Sequence, residues 1–257
     1  MGTGEDLLRA EAVVKRFGGV AAVDGLSFTV RRGEILGLIG PNGAGKTTMF
    51  DCLAGSLRPT AGRILFGDAA IEAMPAHRRA ALGLGRTFQI PRPFGTLSVV
   101  ENTMLGAQGQ RGERLWPNWL SPGAVRRQEA ATHDRAMALL DFVSLARLAR
   151  EPARVLSGGQ RKLLELARVM MGEPAMLLLD EPAAGVNPAL LELIIDRIAA
   201  IRAQGVTVLL IEHNMEMVAR LCSRVVVMAE GRLLAEGTPA AVTAAPAVRA
   251  AYQGQAA

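Results

Sequence analysis

Gly40-Pro41-Asn42-Gly43-Ala44-Gly45-Lys46-Thr47-Thr48 lies between the apolar run Ile35-Leu36-Gly37-Leu38-Ile39 and the run Met49-Phe50-Asp51-Cys52-Leu53-Ala54. The first run reads as a buried strand and the second as a helix. In that setting G-x-x-x-x-G-K-[ST] denotes a phosphate-binding loop. The glycines open backbone angles closed to other residues, so successive N–H groups can turn inward around an anion. A helix beginning near Lys46 adds a positive dipole end of roughly half a charge. Lys46 is placed to reach the β- and γ-phosphates, and the Thr47 hydroxyl to hold Mg²⁺. The segment predicts a nucleoside triphosphate site.

Upstream, Leu7 to Phe17 and Val20 to Val30 read as two strands around Phe17-Gly18-Gly19. Phe17 fits either a strand-end core residue or an aromatic that stacks on a purine ring. Downstream come a turn at Arg58-Pro59-Thr60-Ala61-Gly62, a strand from Arg63 to Phe66, and a short helix from Pro75 to Leu82 with Pro in its first turn. Gly85-Arg86-Thr87-Phe88-Gln89 reads as a strand ending in a polar residue, after which Pro91 and Pro93 break regular structure. Ser98 to about Arg150 is mostly helical in pattern, with Ser98 and Glu101 spaced as a capping box. Gly109 to Gly123 interrupts it and carries Trp116 and Trp119, which fit a packing clasp or a partner contact equally.

The second half returns to α/β. Ser157-Gly158-Gly159-Gln160 leads into a helix to about Met171, and Met176 to Leu179 is an apolar strand ending in Asp180-Glu181-Pro182. A helix follows from Pro188 to about Gln204, then a strand from Val206 to Ile211 ending at Glu212-His213. Arg224 to Ala229 and Arg232 to Ala235 read as a closing hairpin before a short helical tail.

With 257 residues, half of them hydrophobic and only 4% aromatic, the chain suits one large α/β domain, or a core with a smaller lobe, packed around aliphatic side chains. Cys52 and Cys222, far apart in sequence, read as buried thiols rather than a disulfide or metal site. Neither a secretory signal nor an apolar run of membrane-spanning length is apparent, which predicts a cytosolic or peripheral protein. The net charge is +5, yet no Lys/Arg run with interleaved aromatics appears, so a diffuse basic surface is expected rather than a nucleic-acid partner.

Chemistry converges on strand ends. Asp180 at a strand tip can enter a Mg²⁺ shell, and Glu181 beside it can orient or deprotonate an attacking water. His213 ends the next strand, so in a parallel sheet it emerges at the same edge as Asp180 and Lys46 and can contact the γ-phosphate. Gln89, also at a strand tip, can serve near Mg²⁺ and water. Ser157-Gly158-Gly159 at a helix start makes a second anion-binding terminus with Ser157 as its cap. Two phosphate-binding helix ends in one chain predict two chains packed head to tail, each completing the other's site.

Taken together, the loop at 40–48, Gln89, Leu156-Ser157-Gly158-Gly159-Gln160, the strand at 176–181 and His213 stand in the order and spacing of an ATP-binding cassette (ABC) domain, and the chain resembles that family along its whole length. The resemblance implies an α/β P-loop NTPase with a RecA-like core, an antiparallel β subdomain and an inserted helical subdomain. Residues 1–97 and 151–257 form the core, with a tail from about 238, and 98–150 the insert with the signature at 156–160 near its end. It implies ATP and Mg²⁺ as ligands. Phe17 stacks on adenine; Gly40, Pro41, Asn42, Gly43, Ala44, Gly45, Lys46, Thr47 and Thr48 form the phosphate site; Thr47, Gln89 and Asp180 serve Mg²⁺. Glu181 is then the base, His213 and Gln89 complete the catalytic set, and Ser157, Gly158, Gly159 and Gln160 close the site of the other chain.

A narrower likeness rests on Gly85 to Gln89, the Trp-bearing insertion, Asp180 to Pro188, Leu210-Ile211-Glu212-His213-Asn214-Met215 and the ending Ala250-Ala251-Tyr252-Gln253-Gly254. These resemble the LivG-type ATP-binding subunits of branched-chain amino acid importers. That implies a homo- or heterodimer of ATPases on the cytoplasmic side of the inner membrane, two transmembrane permease subunits and a periplasmic solute-binding protein. Asn187 departs from the general family, which usually has Asp there, so an acid role at 187 is not carried over. Importers of amides or urea, and soluble cassette ATPases of iron–sulfur cluster assembly, are the alternatives; the insertion and the tail favour an importer.

Overall fold

The computed structural model describes residues 5–87, 92–109 and 122–253. These fall into two compact units, one comprising Met1–Arg86, Ala175–Ala184 and Ile198–Ala257, the other Thr87–Pro174 and Gly185–Arg197. Gln89, Trp116 and Trp119 lie outside the described residues.

In the first unit, β1 (Asp6–Phe17) and β2 (Val20–Arg31) form the expected hairpin. Their alternating burial puts one face on the core. The hairpin belongs to an antiparallel sheet ordered β2-β1-β4-β5, with β4 at Ala61–Phe66 and β5 at Ala69–Ala70. A second sheet contains β3 (Ile35–Ile39), β6 (Leu84–Arg86), β7 (Met176–Asp180), β8 (Thr207–Ile211), β9 (Arg224–Ala229) and β10 (Arg232–Gly237), in the order β10-β9-β3-β8-β7-β6. All its neighbours are parallel except β10, which pairs antiparallel with β9. β3, β7 and β8 are buried along their whole length, as aliphatic strands in a parallel sheet must be. The closing hairpin is therefore not a free-standing element: β9 joins the main sheet beside β3.

Helix α1 (Lys46–Ala54) follows β3, and its far end is fixed by Arg79, which is 1% exposed. Arg79 sits on α2 (Ala76–Ala81), whose N-cap is Pro75, and donates to the Cys52 and Leu53 carbonyls at 2.5 and 2.6 Å. A guanidinium on orphan C-terminal carbonyls both satisfies them and opposes the helix dipole. Side chains from both sheets and α1 share one aliphatic core, including Leu26, Leu38, Phe50, Ile64 and Met228. Cys52 and Cys222 are free and buried.

The second unit holds α3 (Val99–Met104), capped by the predicted Ser98–Glu101 box, and α4 (Pro122–Phe142). It also holds α5 (Gly158–Met170), so it extends past the 98–150 segment. Helix α6 (Pro188–Ala203) begins in this unit and ends in the first. Three helices of the first unit complete the chain: α7 (Met215–Leu221), α8 (Pro239–Ala244) and α9 (Pro246–Gln253). Among the described residues no helix is long and apolar enough to cross a membrane.

Candidate nucleotide site

The register of the main sheet brings the chemistry to one edge. Ile211 of β8 pairs with Leu38 of β3 on one side and Asp180 of β7 on the other. The residues that follow each strand, namely the 40–48 loop, Glu181 and Glu212-His213, therefore leave the sheet at the same level, where open parallel sheets bind ligands.

The loop itself is shaped by close backbone approach. A Cβ on Gly40 would meet the Met228 carbonyl oxygen at 2.1 Å, and one on Gly45 the Ala22 carbonyl oxygen at 2.1 Å. Gly45 lies in the left-handed region at φ 95, and α1 starts directly after it. Gly231 N–H donates to the Ala44 carbonyl at 3.0 Å, which ties the loop to the β9–β10 turn. Lys46 is 6% exposed and donates to the Gly40 and Pro41 carbonyls at 2.7 and 2.8 Å. Burial lowers its pKa below the ordinary lysine value, against the raising effect of the Glu181 carboxylate. A desolvated ammonium with carbonyls on one side is a strong partner for an anion. Asn42, Gly43 and Thr47 are exposed.

Asp180 is buried at the end of β7, and burial raises its pKa while the Arg86 guanidinium opposes the shift. Arg86 lies 3.6 Å from Asp180 and 2.6 Å from Asp51 on α1, and stacks over Phe50 at 5.2 Å. Arg86 thus ties β6 and β7 to the helix behind the phosphate loop. Glu181 takes the left-handed conformation at φ 46, and its Oε1 lies 3.0 Å from His213 Nε2. The two residues expected to share the hydrolytic work are in contact. Phe17 is half exposed at the end of β1, with the Lys15 ammonium 5.1 Å above its ring. Among the described residues no three His, Cys, Asp or Glu side chains converge as a metal cluster. One hydroxyl at Thr47 and one carboxylate at Asp180 fit Mg²⁺, which binds through few protein oxygens and completes its shell with phosphate and water.

In the second unit, Ser157 caps α5. Its Oγ accepts from Gln160 N–H at 3.3 Å, and its own N–H donates to Gln160 Oε1 at 2.9 Å. Gln160 is committed to this capping box. Gly158 is exposed with open space at its Cβ position, whereas a Cβ on buried Gly159 would strike Leu190 at 2.0 Å. Asn187 Oδ1 accepts from Leu190 N–H at 2.9 Å and so caps α6, a use of the amide that needs no charge.

Arg86, Asp51 and Glu212 are the residues that sequence reasoning did not single out. Arg86 and Glu212 each stood inside a quoted strand end, Gly85 to Gln89 and Glu212-His213. A charged residue at the tip of an otherwise apolar strand was their only signal.

The ABC transporter family model matches residues 23–184. The high-affinity branched-chain amino acid transport ATP-binding protein LivG of Salmonella typhimurium is 40% identical over 98% of this chain and 99% of its own. The corresponding protein BraF of Pseudomonas aeruginosa is 39% identical over 97% and 98%. Among solved structures, the ADP conformation of an ATP-binding cassette of an ABC transporter superposes with a TM-score of 0.83 at 33% identity, covering 97% of this chain and 99% of that one. The chain belongs to the ATP-binding cassette family, as a nucleotide-binding ATPase subunit of an ABC transporter.

Proposed function

We propose that this ATPase powers the import of branched-chain amino acids. The observation that carries the reading is the end-to-end match, on both chains, to LivG and BraF. Lys46, Thr47, Thr48 and the N–H groups of the Gly40–Gly45 loop hold the phosphates, and Phe17 offers its exposed ring to adenine. Thr47, Asp180 and Gln89 hold Mg²⁺, which, when bound, offsets charge on the phosphate oxygens. Glu181 takes the proton of the attacking water. His213, held 3.0 Å from Glu181, orients that carboxylate and reaches the γ-phosphate. Ser157 and Gly159, with Gly158 and Gln160 framing the helix start, complete the site of a second ATPase, identical or paralogous. ATP thereby closes the dimer and hydrolysis opens it.

The partners are two permease subunits on the cytoplasmic face of the membrane and, across it, a periplasmic binding protein. The test is reconstitution with permeases and binding protein in liposomes. Leucine, isoleucine and valine should each stimulate ATP hydrolysis and enter the vesicle. Stimulation by urea or short amides, with indifference to the three amino acids, would overturn the assignment.

A further inference from the structure

Glu212 follows the last residue of β8 and is 3% exposed, yet it carries none of the roles above. Its Oε1 accepts from Ala183 N–H at 2.6 Å. Its Oε2 accepts from His213 N–H at 2.9 Å and Asn214 N–H at 3.0 Å. Among the described residues it forms no ion pair, so these amide protons meet the buried charge. Such bonds are about twice as strong as neutral ones, and a buried carboxylate without them would be costly. The donors belong to two different loops: Ala183 lies two residues after Glu181, and His213 and Asn214 open the loop after β8. One side chain therefore binds the backbone on both sides of the Glu181–His213 contact.

The geometry points to Glu212 as a positioning residue: we propose that its carboxylate splints the 181–184 turn to the 213–214 turn and so holds Glu181 and His213 as one hydrolytic unit. Three features fit a splint better than simple core filling. An apolar residue at the end of β8 would satisfy packing but leave three part-buried N–H groups without this partner. Aspartate, one methylene shorter, keeps the charge but cannot span both turns. Glutamine keeps the length but turns an NH₂ toward N–H donors on one side, so it releases one loop while retaining the other. Glu181 also stands at φ 46, a conformation a non-glycine residue holds only when its surroundings fix it. The Glu181 N–H donates to Ile211 O at 3.0 Å, and Ala184 N–H donates to the Glu181 carbonyl at 3.1 Å; the Glu212–Ala183 bond closes this set.

The inference rests on the assignment of hydrolysis to Glu181 and His213, and the test separates the two. Full-length Glu212→Gln and Glu212→Asp are compared with wild type by hydrogen–deuterium exchange without nucleotide, by ADP affinity and by steady-state ATPase kinetics. Loss of the splint predicts faster exchange in Glu212→Gln over the released turn, either 181–184 or 213–215, unchanged exchange over 40–48, and unchanged ADP affinity. It predicts a fall in kcat on the order of 10²-fold with KM unchanged, as a misplacement near 1 Å produces. In a cycle with Glu181→Gln, the second substitution should add little, since residues acting as a unit are not additive. Full kcat in Glu212→Gln, or exchange and affinity lost together across the whole unit, would overturn the splint. Full activity in Glu181→Gln alone would instead overturn the site assignment. If Glu212→Gln does not fold, Glu212→Asp carries the same readouts, with exchange raised in at least one of the two turns.

Discussion

Gly45→Ala and Gly43→Ala form a matched pair that tests whether backbone approach, rather than flexibility, shapes the phosphate loop. Both glycines have positive φ, 95 at Gly45 and 75 at Gly43, so an added methyl meets comparable torsional strain of about 1–2 kcal/mol at either. The surroundings differ. The Gly43 Cβ position opens to solvent with nothing within 4 Å, whereas that of Gly45 lies 2.1 Å from the Ala22 carbonyl oxygen. That separation is more than roughly 1 Å inside ordinary contact. The neighbour is strand backbone and cannot rotate away, so β2 or the start of α1 must shift, adding about 1–3 kcal/mol by the usual scale of overpacking. Gly45→Ala should therefore lose about 2–5 kcal/mol and Gly43→Ala about 1–2.

Urea unfolding followed by circular dichroism measures both, without nucleotide, because a bound ligand adds its own stabilisation. The shift also moves the loop N–H groups, so ADP titration should find weaker binding in Gly45→Ala beyond any loss in Gly43→Ala. Equal destabilisation of the two variants, at equal m-value, would refute the close-approach account.

Three further outcomes follow from the site. Glu181→Gln should bind nucleotide as before and hydrolyse ATP about 10²–10³-fold more slowly, read by binding and phosphate-release assays on the same preparation; wild-type turnover would remove Glu181 from the role. Ser157→Arg should leave nucleotide binding to the single chain intact and abolish the ATP-driven dimer seen by light scattering, since a bulky cation then occupies the exposed helix start; dimers of that variant would refute a shared site. Burial raises the thiol pKa from 9.0 to about 11 at Cys52 and about 12 at Cys222, so both should resist a thiol reagent at pH 8 until the chain is unfolded. Because the unfolded thiols lose protons that the folded ones keep, stability should fall as pH rises above 9, and Cys52→Ala with Cys222→Ala should flatten that slope in denaturation curves.

What the sequence reveals divides along the range of the interaction. The Ser98–Glu101 capping box and the Ser157 cap are written in neighbouring residues, and both are present, the second as a box closed by Gln160. The phosphate loop, the apolar strands and the Asp180 strand end are likewise written in adjacent residues. Strand β5 has two residues, too few for any period. Helix α7 has seven, although its Asn214 cap was there to be read. The pairing of β9 with β3 joins Val225 to Gly37, and a hairpin reads the same locally whether it stands alone or extends a sheet. Arg86 reaches Asp51 across 35 positions and Glu212 reaches Ala183 across 29. Neither separation leaves a local mark.

The residues that escaped notice are also those that act on backbone or on other side chains rather than on ligand, and the sheet explains why. Parallel strands in register deliver their C-terminal residues to one level, which suffices to gather Lys46, Asp180, Glu181 and His213 at an edge. Gathering does not fix orientation, because each strand ends in a turn of its own with its own freedom. The charges set behind these turns do that work: Arg86 between Asp51 and Asp180, and Glu212 between Ala183 and His213. Each is a charged group whose bonds reach two different elements, Arg86 to α1 and β7 and Glu212 to the turns after β7 and β8, so its bonds link them. Topology assembles the site, and buried charge sets the angles within it.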